Sequence, residues 1–212
     1  MDLNRLQQRF ERSINRSDSQ LAEYLEKIRG QHLKTAEIHQ LEGWLSELWQ
    51  AWCKFCRITV ISSCTGCSTQ AAGNIVAVQP GRGEVSYISI NQKKGKAPGK
   101  HGVNNSMHLE PTWGHIDRLI DVIQALTPGN SKSLLGGFGT VPQIDEIRII
   151  RNAAAHRNIQ TEKTVLAISA NYKATVISHP VEALLWLDPS TGRTLVQARM
   201  DDMRIASRNV CA

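Results

Sequence analysis

The stretch that most restricts the fold of this chain is residues 36–61. Leu41, Leu45, Leu48, Trp52 and Phe55 recur every three or four positions there, with Trp44 and Trp49 flanking them. At about 100° per residue this spacing keeps one face apolar over several turns, the pattern of an amphipathic helix. Aromatic side chains at helical spacing belong to a core far more often than to a ligand platform, because each one buries a large apolar area. The chain is therefore expected to pack around one central buried helix. Its 212 residues suffice for one substantial core with a small appended section.

The segments around that helix divide by period. Over residues 2–16, Leu3, Leu6, Phe10 and Ile14 form an apolar stripe, while Arg5, Arg9, Arg12 and Arg16 recur on another face. The basic row reads first as a solvated face and second as a phosphate-contacting stripe. Ser17 followed by Gln20 is a capping-box pattern. It predicts a second helix through Leu21, Tyr24, Leu25 and Ile28, stopped at Gly30.

From Asn74 the period changes. Residues 75–78 and 84–90 are rich in branched side chains and flank Pro80-Gly81-Arg82-Gly83, which predicts a β-hairpin. Residues 91–105 follow, carrying Lys93, Lys94, Lys96 and Lys100 with no acid. This basic loop reads either as a solvated linker or as a nonspecific phosphate contact. Residues 112–126 are helical in pattern, ended by Thr127-Pro128-Gly129-Asn130. The glycine-rich stretch 133–140 lacks a following Gly-Lys-Ser/Thr, which disfavours a mononucleotide P-loop. Beyond residue 160, the segments 164–169, 173–178, 183–187 and 194–199 read as short strands, the last two joined by a turn at 188–192. Residues 201–210 fit a short closing helix. The expected fold is mainly α, with an inserted hairpin and basic loop near residues 74–105 in a bundle over 1–160. A strand-rich section over 161–212 is expected to pack on that bundle, α+β overall.

Charge and cysteine content narrow the function classes. A net charge of +6 biases the chain toward polyanions, nucleic acid first. No run approaches the ~18 apolar residues of a membrane span. The polar start Met1-Asp2-Leu3-Asn4-Arg5 lacks the apolar core of a signal peptide, so a cytoplasmic location is expected. Cys53-x-x-Cys56 and Cys64-x-x-Cys67 could in principle close a tetrahedral zinc site. The gap between the pairs is shorter than the ~12–20 residues of zinc ribbons. Cys56 also falls on the apolar face of the central helix, and Gly and Pro are absent around the first pair. Free thiols, with no metal and no cofactor, are the expectation.

The chemistry-bearing stretch lies two-thirds of the way along. Thr140-Val141-Pro142-Gln143 reads as a capping box with Pro in the first turn, predicting a helix that runs to His156. Ile147, Ile150 and Ala154 would form its core stripe. Arg151, Arg148, Asn152, Asp145 and His156 fall together on an arc of about 140°, with small alanines between them. A helix built only to pack has no need of such an arc.

The wording Glu146-Ile-Arg-Ile-Ile-Arg151-Asn152-Ala-Ala-Ala-His156 resembles the signature of the HEPN superfamily: an Arg, a polar residue, three further residues and a His. The resemblance covers residues 140–157. It implies a helical bundle that pairs as a homodimer, bringing two motifs into one composite active site. It further implies a metal-independent endoribonuclease of toxin–antitoxin or anti-phage systems, with an antitoxin or defence-system partner. Arg151 and His156 would be the catalytic pair and Asn152 their support. Arg148 and the four lysines would hold the RNA. The competing reading is a noncatalytic HEPN-like dimerisation or binding scaffold, in which the arc makes an interface.

The residue types suit the implied reaction. Cleavage of RNA by its own 2′-OH needs a base for the hydroxyl, an acid for the departing 5′-oxygen and positive charge on the phosphorane. Imidazole can lend or take a proton around neutral pH, and a guanidinium grips two phosphate oxygens in a fork. One imidazole cannot easily be both base and acid in one step, which is where a two-fold partner would enter. The expected products are a 2′,3′-cyclic phosphate and a 5′-hydroxyl. Some members of the family paired with nucleotidyltransferase antitoxins carry a modified Tyr two residues after the His. This chain has Asn158 there, so that route of inactivation is not expected.

Overall fold

The computed structural model describes residues 1–28, 33–92 and 109–212. Helix α2 (Thr35–Thr65) is the long apolar helix expected from the sequence, extended at both ends. The Glu37 carboxylate accepts the Lys34 N–H at 2.7 Å, and a carboxylate in the first turn also favours the positive end of the helix dipole. Leu41, Leu45, Leu48, Trp52 and Phe55 are all buried. Over residues 59–64 every position is buried, Thr59, Ser62 and Ser63 included, so the helix ends inside the core. Gly66, at φ +98°, takes the left-handed conformation that ends it.

Helix α1 (Leu3–Ile28) runs unbroken through Ser17, where a second helix was expected to start. Leu3, Phe10, Ile14, Leu21, Tyr24 and Ile28 are buried, an apolar face that continues without a shift past Ser17. A side-chain cap is worth about 1 kcal/mol, whereas burying each large apolar side chain is worth about 1.5–3 kcal/mol. Keeping one continuous buried face wins, and the Ser17 carbonyl instead accepts from Trp44 Nε1 at 3.2 Å.

The hairpin also differs from expectation. Strands β1 (Cys67–Thr69) and β2 (Gly73–Ile75) pair antiparallel in the register Cys67–Ile75, Ser68–Asn74 and Thr69–Gly73, the only sheet among the described residues. The second expected strand is helix α3 (Arg82–Gln92). Its branched residues after a Pro-Gly turn suggested a strand, but Val85, Ser86, Ser89 and Ile90 are the buried positions, which is helical spacing. The two serines are hydrogen-bonded inward, Ser86 Oγ to Glu110 at 2.5 Å and Ser89 Oγ to the Ser86 carbonyl at 2.7 Å. The basic loop with Lys93, Lys94, Lys96 and Lys100 lies outside the described residues.

Helices α4 (Ile116–Leu126), α5 (Ser131–Gly139), α6 (Asp145–Ala155), α7 (Ile159–Ile168) and α8 (Leu195–Cys211) follow, with 3-10 turns at Pro142–Ile144, Ser169–Asn171 and Pro180–Leu185. The glycine-rich stretch is helix α5, not a loop. The expected strand-rich section is helical instead. Its only ladder contacts are the bridges Lys173–Leu187 and Leu187–Thr194. Segment 164–169 falls in α7 and its 3-10 extension, and segment 194–199 starts α8. Thr194 and Gln197 make the reciprocal bonds of a capping box, Thr194 N–H to Gln197 Oε1 at 3.2 Å and Gln197 N–H to Thr194 Oγ1 at 3.4 Å. That local signal outweighs the β-propensity of the branched residues after it. The turn at 188–192 forms as expected, with Gly192 at φ +69° and the Ser190 N–H donating to Asp188 Oδ1.

The fold is thus mainly helical with one small antiparallel hairpin. No helix among the described residues is long and apolar enough to cross a membrane. The chain forms two compact units, each discontinuous in sequence. One comprises residues 1–11, 52–142 and 205–212; the other comprises residues 12–51 and 143–204.

In the first unit Phe10, Trp52, Phe55 and Phe138 make an aromatic cluster, with Phe10 stacked on Phe55 at 4.4 Å and Phe138 edge-on to Trp52 at 6.0 Å. Such pairs add roughly 0.5–1.5 kcal/mol beyond their area. Glu110 accepts from Arg57, Ser86 and Trp113. Burial pushes its carboxyl up, but these hydrogen bonds outweigh burial and hold it below the usual range.

Four cysteines are buried in this unit. Burial pushes the Cys64 and Cys211 thiols up to about 12, Cys56 well above its usual value, and Cys67 upward. Among the described residues no three His, Cys, Asp or Glu side chains are grouped to hold a metal ion.

The contact between α5 and the end of α8 depends on Gly137. A Cβ there would lie 2.5 Å from Val210 Cγ1 and 3.1 Å from the Val210 nitrogen, whereas Gly136 faces open space. Gly137→Ala is expected to destabilise by about 1–3 kcal/mol through overpacking. Gly136→Ala is expected to stabilise by about 0.5–1 kcal/mol by restricting the unfolded chain. Urea denaturation of the two variants checks both signs.

Candidate active site

The polar arc of α6 and the groups that surround it belong to the second unit. Helix α6 does not start with the expected capping box. Thr140 Oγ1 donates back to the Gly137 carbonyl at 3.0 Å, and the chain passes through the 3-10 turn Pro142–Ile144 before α6 begins at Asp145. Asp145 and Glu146 occupy the first turn, where carboxylates suit the dipole. Ile147, Ile150 and Ala153 are its fully buried positions. Ala154, expected in that stripe, is half-buried at the edge of a cleft.

The far side of α6 is held by a buried ionic cluster. Glu146 Oε2 accepts from the Tyr172 hydroxyl at 2.6 Å and from Arg199 Nη1 at 3.3 Å, while Arg199 Nε lies 3.1 Å from Asp202 Oδ2. Burial pushes the Glu146 and Asp202 carboxyls up, and the Arg199 guanidinium offsets part of that rise. Helix α6 also packs on α7 and on the 3-10 helix Pro180–Leu185.

The predicted site residues part company at the end of α6. Arg148 is held in a fork by Asp145, Nε to Oδ1 at 2.7 Å and Nη2 to Oδ2 at 2.5 Å. Its charge is already matched, so a phosphate would have to share it. Arg151 is half-buried and donates from Nη1 to Asn152 Oδ1 at 3.3 Å. No carboxylate among the described residues pairs with Arg151.

His156 is the C-cap, its N–H bonded to the Asn152 carbonyl at 2.9 Å. The His156 carbonyl accepts from Thr161 Oγ1 and Asn158 Nδ2, both part of the junction into α7. Asn158 forms a full capping box with Thr161. The imidazole of His156 is left exposed.

Arg151, Ala154 and Ala155 line a cleft of about 420 Å³, and its opposite wall is α2, with His39, Glu42, Gly43 and Ser46. His39 Nδ1 is 2.9 Å from Glu42 Oε2, and His179 Nε2 is 3.4 Å from Glu42 Oε1. One carboxylate therefore lies between two imidazoles. A carboxylate only accepts, so His39 carries its proton on Nδ1 and its Nε2 is left open. His179 Nδ1 accepts the Val181 N–H at 3.3 Å, so its own proton is on Nε2, facing Glu42.

Sequence reasoning picked out Arg151 and missed His39, Glu42 and His179. A signal for the first two was present. Gly is costly inside a helix, and Gly43 sits on the arc of His39, Glu42 and Ser46 opposite the leucine stripe. Nothing in the sequence pointed to His179.

Comparison of the chain with protein-family models, with curated proteins and with solved structures finds no match.

The hydrogen bonds of His179 imply a pH dependence. Burial lowers its imidazole below the ordinary 6.5, with Arg157 adding to that effect and Glu42 opposing it. Protonation would place an N–H against the Val181 N–H. A depressed value means that the neutral form's contribution is complete above the unfolded value and is lost as pH falls through the folded one. From about pH 7 down to about pH 5, the Tm of the wild type should fall further than that of His179→Asn, which keeps a capping acceptor without the titration. Calorimetry across that range checks it.

Proposed function

We propose that this chain is a HEPN-type, metal-independent endoribonuclease that works as a homodimer, as a toxin or anti-phage effector. The observation that carries the reading is Arg151: a half-buried guanidinium in a cleft, hydrogen-bonded to Asn152 and matched by no carboxylate among the described residues. An unneutralised arginine in a recess suits a phosphate, which it can grip with two parallel hydrogen bonds. Asn152 restrains it through Oδ1 and so limits the side-chain freedom lost on binding RNA.

Exposed His156, one turn further on, is free to exchange a proton with substrate. In the proposed reaction the 2′-oxygen attacks phosphorus as its proton passes to an imidazole, and the P–O5′ bond breaks as the 5′-oxygen takes a proton from a second one. Arg151 offsets the charge growing on the nonbridging oxygens. A two-fold pair would supply His156 twice. Lys93, Lys94, Lys96 and Lys100 would add nonspecific phosphate contacts.

A noncatalytic dimerisation scaffold is the second reading. It is favoured by Ile159 and Leu166 on α7, 74% and 54% exposed, which lie a helical repeat apart beside the motif.

Incubation of the wild type, Arg151→Ala and His156→Ala with a panel of RNAs in EDTA separates the two. On the nuclease reading the wild type cleaves to 2′,3′-cyclic phosphate ends, and each variant is slower by a factor of about 10²–10⁴. Equal activity in all three, or none in the wild type, sinks it in favour of the scaffold.

A further inference from the structure

We propose that the cleft between α2 and α6 is a phosphate-binding site in which Arg151 clamps the anion and His39, oriented by Glu42, exchanges a proton with it. In its substrate, an RNA phosphodiester, this rests on the ribonuclease reading. Its anion-binding part stands on geometry alone.

Three features of the cleft carry it. First, Arg151 supplies from one wall a positive charge that no carboxylate among the described residues pairs with. Second, the opposite wall presents His39 with Nδ1 held at 2.9 Å by Glu42. A carboxylate behind an imidazole fixes ring orientation and tautomer, and stabilises the imidazolium once a proton arrives. The open Nε2 is then the atom that can take a proton. Third, Gly43 and Ala154 keep the walls low: a Cβ on Gly43 would meet nothing within 4 Å. Bulkier residues at these places would fill the space an anion needs.

Glu42 has a neighbour at each carboxylate oxygen. Each of its oxygens faces an imidazole, His39 on one side and His179 on the other. Charged groups near His39 are Glu42 on its own helix, Arg151 on α6, and Glu23 and Lys27 of α1 together with Glu47 in the recess that His39 shares with α1. His179 stands beyond Glu42, with Arg157 and Glu182 acting on it in turn. Arg151 is the cation on the wall facing the dyad, so an anion entering there meets attraction from that side.

In the cleavage step His39 Nε2 takes the 2′-OH proton while the O2′–P bond forms. The P–O5′ bond breaks and O5′ takes a proton from a second imidazole, the role of His156, which stands at the end of α6 outside the lining of this cleft. One proton is accepted and one is given, and no electron transfer or further reactant is involved. With this arrangement base and acid are different residues, so the two need not be copies of His156.

Two measurements test the site separately. The ring carbons of the histidines are labelled, and uridine 3′-monophosphate is titrated into the full-length protein. The His39 signal should move saturably and its titration midpoint should rise with ligand bound. In Arg151→Ala the apparent Kd should weaken at least about tenfold, the loss of one charge-assisted clamp. An unmoved His39 signal, or equal binding by Arg151→Ala, overturns the proposal.

The pH dependence of RNA cleavage is then compared among wild type, His39→Gln and Glu42→Gln. His39→Gln should lower kcat by about 10²-fold or more and remove the limb that reports the base, while Glu42→Gln should shift that limb. Because the His39 side chain is 70% exposed, its replacement is not expected to unfold the chain. If the wild type cleaves and His39→Gln matches it in rate and profile, His39 has no part in the chemistry and the ribonuclease reading stands without it. If the wild type does not cleave, the ribonuclease reading falls, and the proton-transfer role of His39 falls with it. The titration with uridine 3′-monophosphate then decides anion binding by itself.

Discussion

The commitment of one face of α2 to the core governs what the rest of the second unit can do. Leu41, Leu45 and Leu48 are buried, and a helix that buries one arc presents the opposite arc elsewhere. In α2 that opposite arc is His39, Glu42, Gly43 and Ser46, and these residues form one wall of the cleft. Helix α6 repeats the logic with a shorter stripe. Ile147, Ile150 and Ala153 go inward, and Arg151, Ala154 and Ala155 form the other wall. Each wall is thus a by-product of the apolar face behind it, held where large apolar side chains have nowhere else to go.

The charges of this unit are sorted by burial. Arg199 sits between Glu146 and Asp202 on the far side of α6, where an unpaired charge would be costly. Arg148 is matched by Asp145. Glu42 is divided between two histidines. Among the described residues Arg151 differs from these: it has an amide for a partner and a cleft in front of it. An accumulation of surface arginines carries little information in a basic protein, whereas a half-buried arginine paired with no carboxylate among the described residues suits an anionic ligand.

Four capping signals show why parts of the fold were legible in the sequence and others were not. The Ser17–Gln20 and Thr140–Gln143 patterns look like helix starts, yet neither is used as one. Asn158–Thr161 and Thr194–Gln197 do start helices, in a region whose branched residues suggested strands. A cap contributes about 1 kcal/mol, enough to decide a boundary where packing is indifferent but not where a buried face continues through it, as at Ile14 to Leu21. Residues 82–92 were misread for a related reason. The branched residues there suggested a strand, but Ser86 and Ser89 are buried and hydrogen-bonded beside Val85 and Ile90, so the inward face is helical and not apolar alone.

By itself the sequence determined that α2 is a long core helix, that the chain turns near residues 127–130 and 188–192, and that Arg151, Asn152 and His156 lie around the end of one helix. Each of these follows from local spacing, because the angle between side chains on a helix is set by its geometry and the residues of a turn by their own backbone preferences. Tertiary structure alone decided that Arg151 faces His39 and Glu42, that His179 braces Glu42 from behind, and that Arg148 is spent on Asp145. Those relations join segments far apart in the chain, or choose between rotamers that the helix allows equally. They are settled by which apolar faces pack together and by which polar groups must find partners when they do.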